Sequence, residues 1–310
     1  MIAGGAGDRY DLVTCLSGTY EMLAEQDLLL PIDPTRLKHW HGVAPYVEAA
    51  VPRVPDGKGL LWSIPYHLNA DSFIYWPSEL KAARAPQEVS WKLVYDDEAS
   101  KGRSAIDNEA YALGCAAIYL KHHKIVSIGE IGNMTESECR SVADFLIERK
   151  HAGQFRALYK SFDEQVQLLT SREVLAESGW EPAARAAKQQ GCDIDYAFTV
   201  EGYDKWAQNL MIPAQVKDRN ALDKVHVAID WLLGGAYAAE IMTAQGYVTA
   251  RPELGLDYAR EHGWPAEKIA AIQTVIESSA ARLSKNLYWD PGYFRNLEAY
   301  EREMARFKNA

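Results

Sequence analysis

The chain has 310 residues, of which 48% are hydrophobic and 25% charged, and its formal net charge is −10. Length alone suggests about two domains of ~150 residues, with enough apolar content for a sizeable core. The acidic balance excludes sequence-independent nucleic-acid binding, which needs a basic face, so no nucleic-acid partner is expected.

Tyr10–Leu16 (YDLVTCL) reads as a short strand that ends at Ser17-Gly18, and the TYEMLAEQDLLL run that follows reads as a helix stopped by Pro31. A strand, a Gly/Ser turn and a helix in that order make half of a βαβ unit. Leu60–Trp76 is a second β-rich region with Pro65 inside it. Proline is disfavoured in a central strand, so two consecutive strands or a strand–crossover–strand are expected there. WKLVY (Trp91–Tyr95) reads as a strand, and a helix starts near Asn108 with Asp107 standing where an N-cap would stand. Thr135 to Glu138 spell an S/T-x-x-E capping box that opens an amphipathic helix to Ala152. From Pro213 onward the pattern is mostly helical, over 220–233, 235–246, 266–286 and 292–307. Alternating strands and helices place the chain in the α/β class.

Motifs that carry chemistry are sparse. The sequence has no GxGxxG, no GxxxxGK[ST], no HExxH and no G-x-S-x-G. His122 and His123 are adjacent on a helix and cannot share one metal from one face, so they read as a solvated helix end. The four cysteines (Cys15, Cys115, Cys139 and Cys192) show no CxxC spacing; one disulfide or four thiols both remain open. No cofactor and no metal site is expected. No run of ~18 apolar residues would cross a membrane. The opening MIAGGAGDRYDLV has no basic or apolar leader, so a cytoplasmic protein, or a leader lying outside this chain, is expected. Nine Trp and seventeen Tyr are the composition's most pointed feature. Such rings pair a flat apolar face with one polar handle and recur where small polar solutes are gripped.

The block EGYDKWAQNLMIPAQVKDRNALDKVHVAIDWLL (Glu201–Leu233), followed by AQGYVTARPEL, resembles the spermidine/putrescine-binding proteins, the periplasmic solute-binding components of ABC transporters. DRYDLV, LWSIPYHLNADSFIYW and SGWEPAARAAKQQGCDIDYAFTVEG resemble other segments of that family. The resemblance covers Asp8 to about Leu256. It implies a two-lobe periplasmic-binding-protein type II fold with hinge crossover strands. One lobe would comprise 1–70 plus 207–255, and the other 71–206 plus 256–310. It also implies a periplasmic location, an ABC transporter permease as partner, no catalysis, and a solute held between two closing lobes.

Carried over by position, Trp180 and Trp206 match the family's ligand-stacking tryptophans, Tyr247 its tyrosine after a glycine, and Ser17 its hydroxyl after the first strand. Departures matter too. Gln208 stands where the family has an acid two residues after the hinge tryptophan. Asp107 fits one of the family's second-lobe acids, while Tyr111 stands at the other, with Glu109 as a substitute. A buried ammonium without a carboxylate is costly. A small amine-containing or polar solute is therefore expected, with spermidine bound weakly. The family's first strand, helix and strand, roughly 50 residues, have no counterpart before the matching Asp8. Two alternatives stay open: a degenerate binding protein without a transport role, or an enzyme reusing the fold, with Cys15 and Ser17 as its nearby nucleophiles.

Overall fold

The computed structural model describes residues 8–16, 18–48, 51–55, 57–80, 89–285 and 296–310. In chain order the helices and strands are β1 (Val13–Leu16), α1 (Thr19–Ala24), β2 (Leu29–Leu30), α2 (Pro45–Glu48), β3 (Ile64–Tyr75), α3 (Lys92–Tyr95), β4 (Ser104–Asp107), α4 (Tyr111–His122), α5 (Glu136–His151), β5 (Phe155–Tyr159), α6 (Phe162–Thr170), β6 (Ala176–Gly179), α7 (Glu181–Gln189), β7 (Asp195–Tyr196), β8 (Asp204–Pro213), α8 (Leu222–Leu232), α9 (Gly235–Ala244), α10 (Pro252–Glu261), α11 (Ala266–Leu283) and α12 (Leu297–Asn309).

The chain forms two compact units. Among the described residues, one holds 8–69 and 205–284, and the other holds 70–204, Lys285 and 296–310. The chain leaves the first unit within β3, after Asn69, and re-enters it at the start of β8, after Asp204. Both crossings are therefore extended strands. β3 is one unbroken strand of twelve residues rather than two. Pro65 is its second residue, a position where a missing amide donor costs little.

In the first unit, β1 runs antiparallel to β8 with Thr14 opposite Leu210 and Leu16 opposite Gln208. β2 pairs the far end of β8. Alternation along β8 sends Met211 inward with Val13, Cys15, Leu23 and Leu29, and puts Trp206 and Gln208 on the opposite face. Helices α9 and α10 approach closely because glycine faces the neighbouring helix on each. A Cβ on Gly235 would lie 2.8 Å from Tyr258 Cβ, and one on Gly255 would lie 2.8 Å from the backbone of Ala238. α11 then ties to the crossover strand: Arg282 donates to Asn69 Oδ1 at 3.3 Å. These contacts put 256–284 in the first unit, whereas the sequence reading assigned 256–310 as a whole to the second lobe.

The second unit is a sheet in the order β3-β6-β4-β5, with β7 added on β3. β6, β4 and β5 are mutually parallel and β3 is antiparallel to β6. One face carries the larger core, where Phe73, Trp91, Tyr95, Tyr119, Phe145, Tyr300 and Phe307 are buried together. The other is covered by Leu168, Leu169, Ala183, Ala184 and Ala187 from α6 and α7. α5 begins as its sequence dictates. Thr135 Oγ1 accepts from the Glu138 amide at 3.2 Å, and Glu138 accepts from the Thr135 amide at 2.7 Å.

Two local expectations fail here. Trp91–Tyr95 is not a strand: Lys92–Tyr95 is one helical turn. Glu201 fixes its start by accepting from the Trp91 amide at 3.1 Å and from Ser90, so a tertiary contact overrides the β propensity of the segment. Asp107 is the last residue of β4, and the N-cap of α4 is Ala110. The Asp107 carboxylate instead turns the chain by accepting from the Glu109 amide at 2.7 Å. All four cysteines are free thiols.

Candidate functional site

The first unit gathers rings from three segments. Tyr66 and His67 enter at the start of β3. Trp206 stands near the start of β8, and Tyr237 on the first turn of α9. Tyr247 follows Gly246, whose φ of +80° makes the turn after α9, a conformation open mainly to glycine. Val248 then exchanges backbone hydrogen bonds with Leu68 at 2.8 and 3.1 Å, which sets Tyr247 beside His67.

The resulting geometry is an angular wall. Trp206 and Tyr247 stand perpendicular, with centroids 4.8 Å apart at 89°. His67 lies edge-on to Trp206 at 5.9 Å and stacks on Tyr247 at 5.7 Å. Tyr66 and Tyr237 close the other side of the imidazole at 4.3 and 6.2 Å. The exposed Trp231 extends the series from Tyr237 at 6.4 Å.

The cluster is electrically neutral. Burial pushes the His67 imidazole down to about 4, so the ring carries no charge at neutral pH. Its Nδ1 lies 2.6 Å from the Tyr237 hydroxyl, and burial pushes that phenol upward. Gln208, on the Trp206 face of β8, is held by Thr14, whose hydroxyl donates to Gln208 Oε1 at 2.9 Å. Trp206 is only 8% exposed, and its indole N–H has no hydrogen-bond partner among the described residues. A buried donor left unpaired costs on the order of 1–3 kcal/mol, so the atom is poised for an acceptor.

The second unit carries the remaining candidates. Asp71 on β3 is 3% exposed and accepts from Tyr111 at 3.2 Å and from Tyr196 at 3.4 Å. Tyr196 in turn accepts from the Ser72 amide at 2.9 Å. Asp107 is buried, and that burial raises its carboxyl above the usual range. Trp180 is half-buried at the N-cap of α7 and stacks on no other ring among the described residues.

Of the residues named from sequence, Trp206, Gln208 and Tyr247 thus fall in the first unit, and Asp107 and Trp180 in the second. Ser17 lies outside the described residues. Glu109, considered as a substitute acid, is exposed. Asp71 and Asp204 are buried acids near Tyr111 that the sequence reading did not single out. Tyr66, His67 and Tyr237 were also missed. Their one sequence signal was an aromatic pair at the entry to a crossover segment. Among the described residues, no group of three His, Cys, Asp or Glu could hold a metal ion, and no helix is long and apolar enough to cross a membrane.

Two α/β units joined by crossover strands, one unit bearing a cluster of rings around a buried indole donor, fit a protein that binds a small solute. The family comparison gives the same class: residues 1–268 match the family model for bacterial extracellular solute-binding proteins, and the chain belongs to that family. It is similar to spermidine/putrescine-binding periplasmic protein 1 of Haemophilus influenzae, with 22% identity over 99% of this chain and 77% of the relative. Among solved structures, it shares its fold with the spermidine/putrescine ABC-transporter substrate-binding protein of Streptococcus pneumoniae, at a TM-score of 0.71 and 17% identity, covering 99% of this chain and 87% of that one. A lipoprotein of Treponema pallidum gives 0.68 and 17%, over 96% and 84%. AgtB of A. tumefaciens R10, solved in complex with agropinic acid, gives 0.61 and 14%, over 99% and 85%. The architecture is that of periplasmic binding proteins.

Proposed function

We propose that this chain is the solute-capturing component of an ABC importer. It works on the outer side of the cytoplasmic membrane, in the periplasm, and hands a small amine-containing or polar organic solute to a permease. Within the first unit, Trp206, Tyr247 and His67 are the contact residues, and Gln208 sets the polarity beside them. In the second unit, Trp180, Asp107 and Asp71 are tested separately as contacts. The observation that carries this reading is the unpartnered N–H of Trp206 inside a wall of perpendicular rings. Ring faces attract cationic groups by roughly 0.5–2 kcal/mol each. The relatives of the same family and fold are transport proteins for solutes, which supports the same reading.

The test is direct. Protein purified without denaturation is precipitated and the released small molecules identified by mass spectrometry. The recovered compound is then titrated into stripped protein by calorimetry. Stoichiometric binding that weakens at least tenfold in Trp206→Ala supports the proposal. Unchanged binding in Trp206→Ala and in Tyr247→Ala would reject these contact residues.

A further inference from the structure

The ring cluster of the first unit constrains the solute further than its family does. We propose that it takes a fully methylated ammonium on a solute that also carries a carboxylate, that is, a betaine-type zwitterion. This rests on the solute-binding reading above and narrows it to one chemical class.

Three observations converge. The first is that the residues named in the cluster include no carboxylate to compensate an ammonium. A primary ammonium brings three N–H donors into its site. In the cluster the acceptors are neutral: Gln208 Oε1, which also accepts from Thr14, and the tyrosine hydroxyls. A trimethylated ammonium brings no donor at all. It asks only for ring faces, and here two rings meet at 89° with a third stacked beside them.

The second observation is an unpaired donor. The Trp206 N–H is buried and unpartnered. A buried donor without a protein acceptor calls for an oxygen acceptor on the ligand, and a carboxylate makes that hydrogen bond charge-assisted.

The third is charge balance. The cluster residues include no Asp, Glu, Lys or Arg, and burial disfavours the charged forms of His67 and Tyr237. Burying a net cation against such a wall leaves it uncompensated, whereas a zwitterion brings its own counter-charge. Gln208, standing where an acid stands in the family resembled, is the residue that keeps the wall neutral.

The experiment is a ligand series on the unaltered full chain, stripped of bound solute and titrated by calorimetry with glycine betaine, glycine, choline and putrescine. Glycine betaine is expected to bind at least about tenfold tighter than glycine, which has the carboxylate but a primary ammonium, and tighter than choline, which has the methylated ammonium but no carboxylate. Trp206→Phe keeps a ring and loses the N–H. It is expected to weaken glycine betaine by about tenfold and choline by less than threefold, roughly the loss of one charge-assisted hydrogen bond. Putrescine or glycine binding as tightly as glycine betaine overturns the inference while leaving the solute-binding reading intact. Failure of all four probes, together with recovery of a primary-amine solute from native protein, does the same. If no probe binds and no small molecule is recovered, both readings fall.

Discussion

Acidification should destabilise the first unit through His67. The imidazole lies 2.6 Å from Tyr237, is stacked on Tyr247, and is held at about 4 by burial. In an unfolded chain the same group titrates near 6.5. Between those values the folded protein binds fewer protons than the unfolded one, so stability rises with pH across this window. The contribution is complete above about 6.5 and is lost as the pH falls toward 4. The gap between 6.5 and about 4, at about 1.36 kcal/mol for each pH unit, amounts to about 3 kcal/mol. Other groups also titrate in acid, among them the buried Asp107, whose raised carboxyl acts in the opposite direction. The informative quantity is therefore a difference. Urea unfolding of the wild type and of His67→Phe, followed by circular dichroism from pH 7 to pH 4, should give two curves that converge by about 3 kcal/mol toward acid. An NMR titration of the His67 ring should place its midpoint near 4. Parallel curves, or a midpoint near 6.5, would refute the claim that this imidazole is neutral and buried.

Four further outcomes follow from particular contacts. Gln208→Asp should strengthen putrescine binding by roughly tenfold and weaken a zwitterion, because it adds a carboxylate beside Trp206; calorimetry on both ligands reads the change. Gly255→Ala should lower the melting temperature, since its Cβ would meet the backbone of Ala238 at 2.8 Å and push α10 off α9; thermal unfolding checks it. Tyr111→Phe should cost on the order of 1–2 kcal/mol by removing a donor from the buried Asp71, measured by urea unfolding. Thr135→Ala should cost about 1 kcal/mol by breaking the capping box at the start of α5, read in the same assay.

Much of this was legible in the sequence wherever the signal was local. The Thr135–Glu138 box is a contact between residues three apart, and it forms as spelled. The helical periodicity of 220–233 and 235–246 gives α8 and α9 to within two residues at each end. What failed depended on distant partners. Trp91–Tyr95 has strand-like side chains, but Glu201 captures the Trp91 amide and turns it into helix. Asp107 has the right residue type for a cap and caps nothing, because the strand continues through it. The placement of 256–284 was set by glycines on α9 and α10, whose role appears only when the two helices face each other.

The candidate site divides in the same way. Trp206 and Tyr247 were named through a resemblance over two neighbouring segments, and their rings lie 4.8 Å apart. His67 and Tyr237 were missed because each is unremarkable in its own segment. His67 sits in an apolar strand, and Tyr237 in a helix rich in alanine. They meet only in the folded unit, where His67 Nδ1 lies 2.6 Å from the Tyr237 hydroxyl. Asp71 was missed for a related reason. Its partners Tyr111 and Tyr196 lie 40 and 125 residues away, beyond the reach of any spacing argument.

The central claim is that the Trp206 N–H waits for an acceptor supplied by a small solute. In a ¹⁵N-labelled protein the indole N–H of Trp206 gives its own resonance, assigned by its loss in Trp206→Phe. Adding the solute recovered from native protein should move that resonance downfield and slow its exchange with water, in step with the calorimetric saturation curve. An indole resonance that stays fixed while the solute binds stoichiometrically would contradict the claim and would move the binding surface away from this cluster.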